Sequence, residues 1–149
     1  MVTLREINND NFSECVKLEV DESQKNFVAN NMKSLAEAWV HYANAQPFAI
    51  YNNDEMVGFM MFYIEDGLSG KKKECFLWRL MIDKKHQGKG YGKTALKIAV
   101  EDFKNKINFA EVKTYLVPGN EGAENLYKSL GFMPTGEIEE GEIVMKLKL

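Results

Sequence analysis

Apolar and polar positions along this chain change period several times, and each change marks an element. Residues 3–7 predict an opening strand, followed by Asn8, Asn9, Asp10 and Asn11, whose short polar side chains suit a turn and a helix cap. Residues 12–20 read as a short helix. A polar stretch anchored by Phe27 and Val28 then leads into a second helix over residues 32–42, a region that Pro47 ends. Residues 48–51 and 56–64 are apolar runs separated by Asn52, Asn53, Asp54 and Glu55, which predicts a hairpin. Gly67, Gly70 and the lysines 71–73 predict a mobile loop. Residues 74–83 are nearly all apolar, too short and too aromatic for a helix, and predict a central strand buried on both faces.

A glycine loop comes next. After it Leu96, Ala99, Val100 and Phe103 fall at i, i+3, i+4 and i+7, the stripe of a helix packed on a core. Residues 112–117 predict another strand, stopped by Pro118, Gly119 and Asn120. Residues 123–130 predict a helix whose end Gly131 marks. Two short strands, near Glu137 and at residues 143–147, turn at Glu140 and Gly141. The order β-α-α-β-β-β-α-β-α-β-β predicts an α/β domain with a mixed sheet. No repeat, low-complexity tract or linker divides it, so residues 1–149 are expected to form one domain.

Composition narrows the function. A length of 149 residues with 45% hydrophobic content fits one packed unit. The net charge of −3 argues against a nucleic-acid binder and suits a cationic partner better. Cys15 and Cys75 stand alone and are expected to be small core residues. His41 and His86 are too isolated for a metal site or a Ser/His arrangement, and both are expected on the surface, with no metal bound. Residues 1–12 lack the regions of a signal peptide and no window matches a membrane span, so a cytoplasmic protein without a membrane partner is expected.

The candidate chemistry centres on the stretch HQGKGYGKTAL, residues 86–96. A P-loop would need its first glycine at position 87, which is Gln. A dinucleotide fingerprint fails because Gly92 comes one residue early and position 93 is Lys. What remains is Q-x-x-G-x-G, made by Gln87, Gly90 and Gly92. Glycines there let backbone N–H groups curl around a phosphate at the start of a helix.

With these residues the chain resembles the GNAT superfamily of N-acetyltransferases. The element order matches throughout, and QGKGYG after FLWRLMID is similar to that family's acetyl-CoA pyrophosphate loop. A second motif, N-x-x-A-x-x-L-Y-x-x-x-G-F, is matched by Asn120, Ala123, Leu126, Tyr127, Gly131 and Phe132. Residues 18–28 and 56–62, WRLMIDKKHQGKGYGK and LYKSLGF further resemble small bacterial spermine/spermidine acetyltransferases. The resemblance implies a mixed sheet of about six to seven strands, with splayed central strands and four flanking helices.

It also implies a site. Acetyl-CoA as cosubstrate would be held by Gln87, Gly88, Lys89, Gly90, Tyr91, Gly92 and Lys93, with Asn120 beside them and Lys84 and Lys85 near the nucleotide. The backbone of Leu80 and Ile82 would bond its pantetheine arm like an added strand, and a strand N–H could stabilise charge on the thioester oxygen. Tyr127 would be the general acid for the leaving thiolate. An amine with a pKa of about 10.4 must lose a proton first, which costs about 4 kcal/mol at pH 7. No carboxylate stands in Phe76-Leu77-Trp78-Arg79 to take it, which leaves Glu74, Glu19, Asp21 and Glu22 as base candidates. Arg79 is expected in a structural ion pair, with Trp78 on the opposite face, against an aliphatic substrate chain or in the core. Glu14, Glu19, Asp21 and Glu22 are expected to hold a small-molecule amine, a polyamine such as spermine or spermidine, and family members commonly pair as homodimers. Other readings are acetylation of a protein N-terminus, a lysine, an amino acid or an aminoglycoside, or a non-catalytic acyl-CoA-binding module.

Overall fold

The computed structural model of the chain describes residues 1–68 and 71–149. Its elements are β1 (Val2–Glu6), α1 (Phe12–Lys17), α2 (Asn31–Val40), β2 (Ala45–Asn52), β3 (Glu55–Glu65), β4 (Lys73–Ile82), α3 (Tyr91–Lys106), β5 (Phe109–Leu116), α4 (Glu121–Ser129), β6 (Met133–Glu139) and β7 (Glu142–Lys148). A 3-10 turn, Glu22–Gln24, lies between α1 and α2. The expected order stands, with corrected boundaries. Helix α1 stops at Lys17 because Leu18 turns extended (ψ 138°). Pro47 lies inside β2, one residue beyond the last pair with β1, where a missing N–H is tolerated. Lys73, expected in the loop, opens β4 with its N–H on the Asn108 carbonyl (2.8 Å). Gly70 of that expected loop lies outside the described residues.

The strands form one seven-stranded mixed sheet in the order β1-β2-β3-β4-β5-β7-β6. Among the described residues only β4 and β5 are parallel neighbours, joined through α3 as such a crossover requires. Helix α3 buries Ala95, Leu96, Ala99, Val100 and Phe103 against one face, where Tyr127 of α4 joins them. Ala38 of α2 and Cys15 of α1 cover the other, against Phe59, Met61 and Met81. Each fully buried Phe or Met on these faces contributes about 1.5–3 kcal/mol of apolar burial. Both cysteines are buried and free, in keeping with a packing role.

Two irregularities of β4 set up everything that follows. Met61 pairs with Arg79 but the next residue, Phe62, pairs with Leu77, so Trp78 is an inserted, unpaired residue. Such a bulge bends its strand and raises its twist. The ladder between β4 and β5 ends at the same point, Leu77 with Thr114, although β4 runs on to Ile82 and β5 to Leu116. A V-shaped gap opens between the two central strands.

Candidate active site

A cleft of about 1060 Å³ occupies that gap. One wall is the end of β4. Asp83 donates its N–H to Val57 of β3 (2.8 Å). Backbone groups alternate sides along a strand, so Ile82 and Leu80 turn theirs toward the place β5 has left. Their side chains pack on the α3 face of the sheet. The Ile82 carbonyl is already taken, by Nε2 of Gln87 (2.9 Å), which leaves Leu80 the backbone with both groups open.

The glycine loop forms the floor. Gly88 and Gly90 have φ of 80° and 81°, a conformation that L side chains rarely adopt, and a Cβ on either would meet nothing within 4 Å. The loop is thus a backbone surface that only glycine suits, facing open space. The first intrahelical bond of α3 is Thr94 N–H to Gly90 O (3.1 Å), so the N–H groups of Tyr91, Gly92 and Lys93 point out of the helix end. A pyrophosphate fits these donors in charge and geometry. Gly92 differs from its neighbours: a Cβ there would point at Ile82 at 3.5 Å, an ordinary contact. The Tyr91 hydroxyl is tied to Asn52 (3.0 Å), Lys93 lines the cleft, and Lys89 is exposed and stands off it. Asn120 reaches the cleft but uses its side chain to cap α4, accepting from Ala123 N–H (3.3 Å).

At the apex of the V, the Thr114 hydroxyl donates to the Leu77 carbonyl (3.2 Å), closing the ladder where the strands part. Tyr127, on α4 and packed against Phe132, borders the cleft beside Thr114. Burial pushes its phenol above the ordinary value, and the Thr114 hydroxyl offsets that only in part. The side chain therefore carries its proton throughout the neutral range. It can give one up only to a strong base formed next to it.

The acceptor side departs most from expectation. Trp78 and Arg79 do not point to opposite faces: the bulge at Trp78 places both on the α2 side. Arg79 bonds Glu37 of α2 through Nη2 (3.1 and 3.2 Å) and the Trp78 carbonyl through Nη1 (3.1 Å), with its guanidinium over the Trp78 ring (5.2 Å). The expected structural ion pair is there, with Glu37 as partner. Trp78 lines the cleft and meets His41 and Tyr63 edge-on at 5.7 and 5.6 Å. The aromatic row continues from Tyr63 to Phe76 and on to Tyr115, stacked on Phe76 at 6.4 Å. His86, expected on the surface, has a side chain only 16% exposed and faces Glu55 at 3.2 Å.

Glu19, Asp21 and Glu22 do not line the cleft. Glu19 is paired with Lys84 (2.7 Å), whose hydrogen bond holds its carboxyl below the usual range, and Glu22 is paired with Lys25 (3.0 Å). Glu74 sits across from Glu65 at the far end of β4 and does not line it either. The carboxylates that do are Glu139, Glu140 and Glu142, at the turn between β6 and β7, which sequence reasoning missed. That turn holds Glu140 at φ 49° and Gly141 at φ 80°, the pair of positive angles that lets two strands join through two residues. Tyr115 is the marker of this patch: burial, the Glu139 hydrogen bond and the charges of Glu139, Glu142 and Glu74 push its hydroxyl up to about 12. Among the described residues no group of His, Cys, Asp and Glu could hold a metal ion, and no helix is long and apolar enough to cross a membrane.

The chain is similar to known proteins in sequence and in fold. The chain is 28% identical over 155 residues to a spermine/spermidine N(1)-acetyltransferase of Bacillus subtilis, with 99% of each chain covered. Its fold superposes on Arabidopsis thaliana Naa50 in complex with a bisubstrate analogue of CoA (TM-score 0.72, 25% identity, 99% of each chain). It also superposes on a Vibrio cholerae spermidine N-acetyltransferase in complex with CoA and spermine (TM-score 0.74, 18% identity, 99% and 95% covered). The family model for GNAT acetyltransferases matches residues 2–132, across the split strands, the glycine loop and the Tyr127 helix, and the chain belongs to the acetyltransferase (GNAT) family, whose members carry an acetyl group from acetyl-CoA to an amine.

Proposed function

We propose that this protein acetylates a polyamine of the spermine and spermidine class, by direct attack of a primary amine on acetyl-CoA held in the cleft. The observation that carries the substrate class is the acid patch of Glu139, Glu140 and Glu142, which lines the cleft beside Tyr115 at the end of the aromatic row. A chain of ammonium groups joined by methylenes matches that surface, with carboxylates for charge and rings for the aliphatic links and for cation–π contact. The spermine/spermidine acetyltransferase from Bacillus subtilis, similar over its full length, supports the same choice.

Acetyl-CoA supplies the activated thioester. This chain's residues do the rest. Gly88, Gly90 and the open N–H groups at the start of α3 bind the pyrophosphate, and Leu80 pairs with the extended arm through the gap in the sheet. Tyr127 holds its proton at the hydroxyl until the sulfur leaves as thiolate, then donates it. The neutral amine attacks the thioester carbonyl, and the C–S bond breaks as the amide forms. The excess proton on nitrogen passes through water in the cleft to restore the Tyr127 hydroxyl, while Glu139 and Glu142 hold the substrate's other ammonium groups. Glu19, Asp21 and Glu22, already engaged or turned elsewhere, serve to shape the segment that borders the cleft rather than to bind the amine.

The test is release of free thiol from acetyl-CoA with spermine, spermidine, putrescine, an N-terminal peptide, a lysine peptide and an aminoglycoside supplied separately. Turnover on spermine or spermidine at KM below about 1 mM supports the reading. Preference for the peptide or the aminoglycoside would replace the substrate while keeping the family chemistry.

A further inference from the structure

We infer that Gln24 is a positioning residue for the acetyl-CoA loop, acting through Gln87, so that the loop and the segment bordering the acceptor side of the cleft become ordered together. The inference rests on the acetyl-CoA reading of the cleft and goes beyond it.

The hydrogen bonds of Gln87 are the starting point. Its Nε2 donates to the Ile82 carbonyl (2.9 Å) and to Oε1 of Gln24 (2.8 Å), while its own Oε1 accepts from Nε2 of Gln24 (3.3 Å). The side chain is fully engaged with protein. It does not reach for a phosphate, as its place in the motif suggested; it takes the position β5 vacated, satisfying a carbonyl that the split sheet would leave unpaired.

The loop needs such a brace. Gly88 and Gly90 have no side chains and sit in open space at positive φ, so packing does not hold them. The segment is held by polar bonds, among them His86 N–H to Asp83 O (2.8 Å), Lys85 N–H to the Asp83 carboxylate (3.1 Å), the His86–Glu55 contact (3.2 Å) and those of Gln87. The Asp83 carboxylate, on a buried residue, also accepts Glu19 N–H (2.9 Å), and Lys84 N–H returns to Glu19 O (2.9 Å). The segment after α1 is therefore stitched to the loop at both ends, at Glu19 and at Gln24. Between and just beyond these stitches lie Val20, Lys25, Phe27 and Val28, which border the cleft. Whatever narrows the loop's motion narrows theirs.

The experiment uses wild type, Gln24→Met, Gln87→Met and the double variant. Methionine keeps the length and bulk of the side chain and removes its hydrogen bonds. CoA is titrated calorimetrically, initial rates are measured over acetyl-CoA concentration, and amide exchange over residues 22–28 is followed with and without CoA. Gln24→Met should weaken CoA and raise acetyl-CoA KM by about three- to tenfold, the range of one net hydrogen bond, with kcat at saturation unchanged. Gln87→Met should weaken CoA more, since Ile82 loses its partner too, and adding Gln24→Met to it should change affinity by less than about twofold. CoA should slow exchange over residues 22–28 in wild type and not in Gln24→Met. Wild-type affinity in Gln24→Met, fully multiplicative effects in the double variant, or no CoA-dependent protection in wild type would each overturn the inference. Failure of wild type to bind CoA would instead remove the acetyl-CoA reading beneath it.

Discussion

The two walls of the cleft are built from different materials. The glycine loop and the end of β4 present backbone: N–H groups at a helix start, two glycines at positive φ, and Leu80 turned into the gap. The acceptor side presents side chains, the rings of Trp78 and Tyr115 and the carboxylates of Glu139, Glu140 and Glu142. Backbone donors bind any ligand with the right phosphate and amide spacing, whereas side chains discriminate by charge and shape. On the proposed reading, the contrast makes cofactor binding a property of the fold and amine choice a property of a few exchangeable residues. Tyr127 stands between them, at the apex, where the two substrates would meet.

The sharpest break in that division is at Tyr127. Tyr127→Phe retains the packing on Phe132 and should lower kcat by about a hundredfold or more, with both KM values within about twofold, in steady-state assays. Because burial raises this phenol above the ordinary value near 10, the wild-type rate should show no loss from its ionisation as pH rises toward about 10. A fall assigned to a group titrating near 8 that Tyr127→Phe removes would contradict the raised phenol. Next in size is Gly90→Ala, which places a Cβ at φ 81° on the cradle surface and should raise acetyl-CoA KM about tenfold.

Replacing Glu139 and Glu142 together by Gln should raise spermidine KM by about five- to tenfold and flatten its dependence on salt, leaving acetyl-CoA KM alone. Glu19→Gln and Glu22→Gln should change spermidine KM by less than about twofold, since neither borders the cleft. Glu37→Gln leaves the half-buried Arg79 without its anion and should cost about 1–3 kcal/mol in urea unfolding, between the limits for exposed and buried pairs. A small effect is also expected of Gly92→Ala. Although it replaces a motif glycine, its Cβ points at Ile82 and not at the cradle, so acetyl-CoA KM should stay within about threefold.

The backbone wall was legible in the sequence for a physical reason. A helix start preceded by glycines and an apolar strand is a local pattern, and local pattern is what periodicity and turn chemistry report. The order of elements and the central place of β4 followed from the same signals. Its burial is only partial: Cys75, Leu77 and Met81 are buried, while Trp78, Arg79, Leu80 and Ile82 are half-buried along the cleft. The side-chain wall was not, because it forms by convergence of residues far apart in the chain. Glu139 and Glu142 read only as hairpin residues until β7 pairs with β5 and carries their turn to Tyr115. The acidic run Glu14 to Glu22 looked like an amine site because nothing in sequence revealed that Lys84 would return to Glu19. Trp78 and Arg79 were assigned opposite faces by strict alternation, and a single inserted residue defeats that rule. The Gln24–Gln87 bridge was invisible for a related reason: it joins the segment after α1 to the loop after β4, and no periodicity encodes it.

The most direct test of two separable walls is one matrix of initial rates, varying acetyl-CoA against spermidine, for wild type, Gly90→Ala and the Glu139→Gln, Glu142→Gln double variant. The account predicts that Gly90→Ala raises only the acetyl-CoA KM and the glutamate variant only the spermidine KM. If both variants raise the same KM, or if the glutamate variant leaves spermidine untouched, the amine does not lie against the Tyr115 and Glu139 wall and the division described here is wrong.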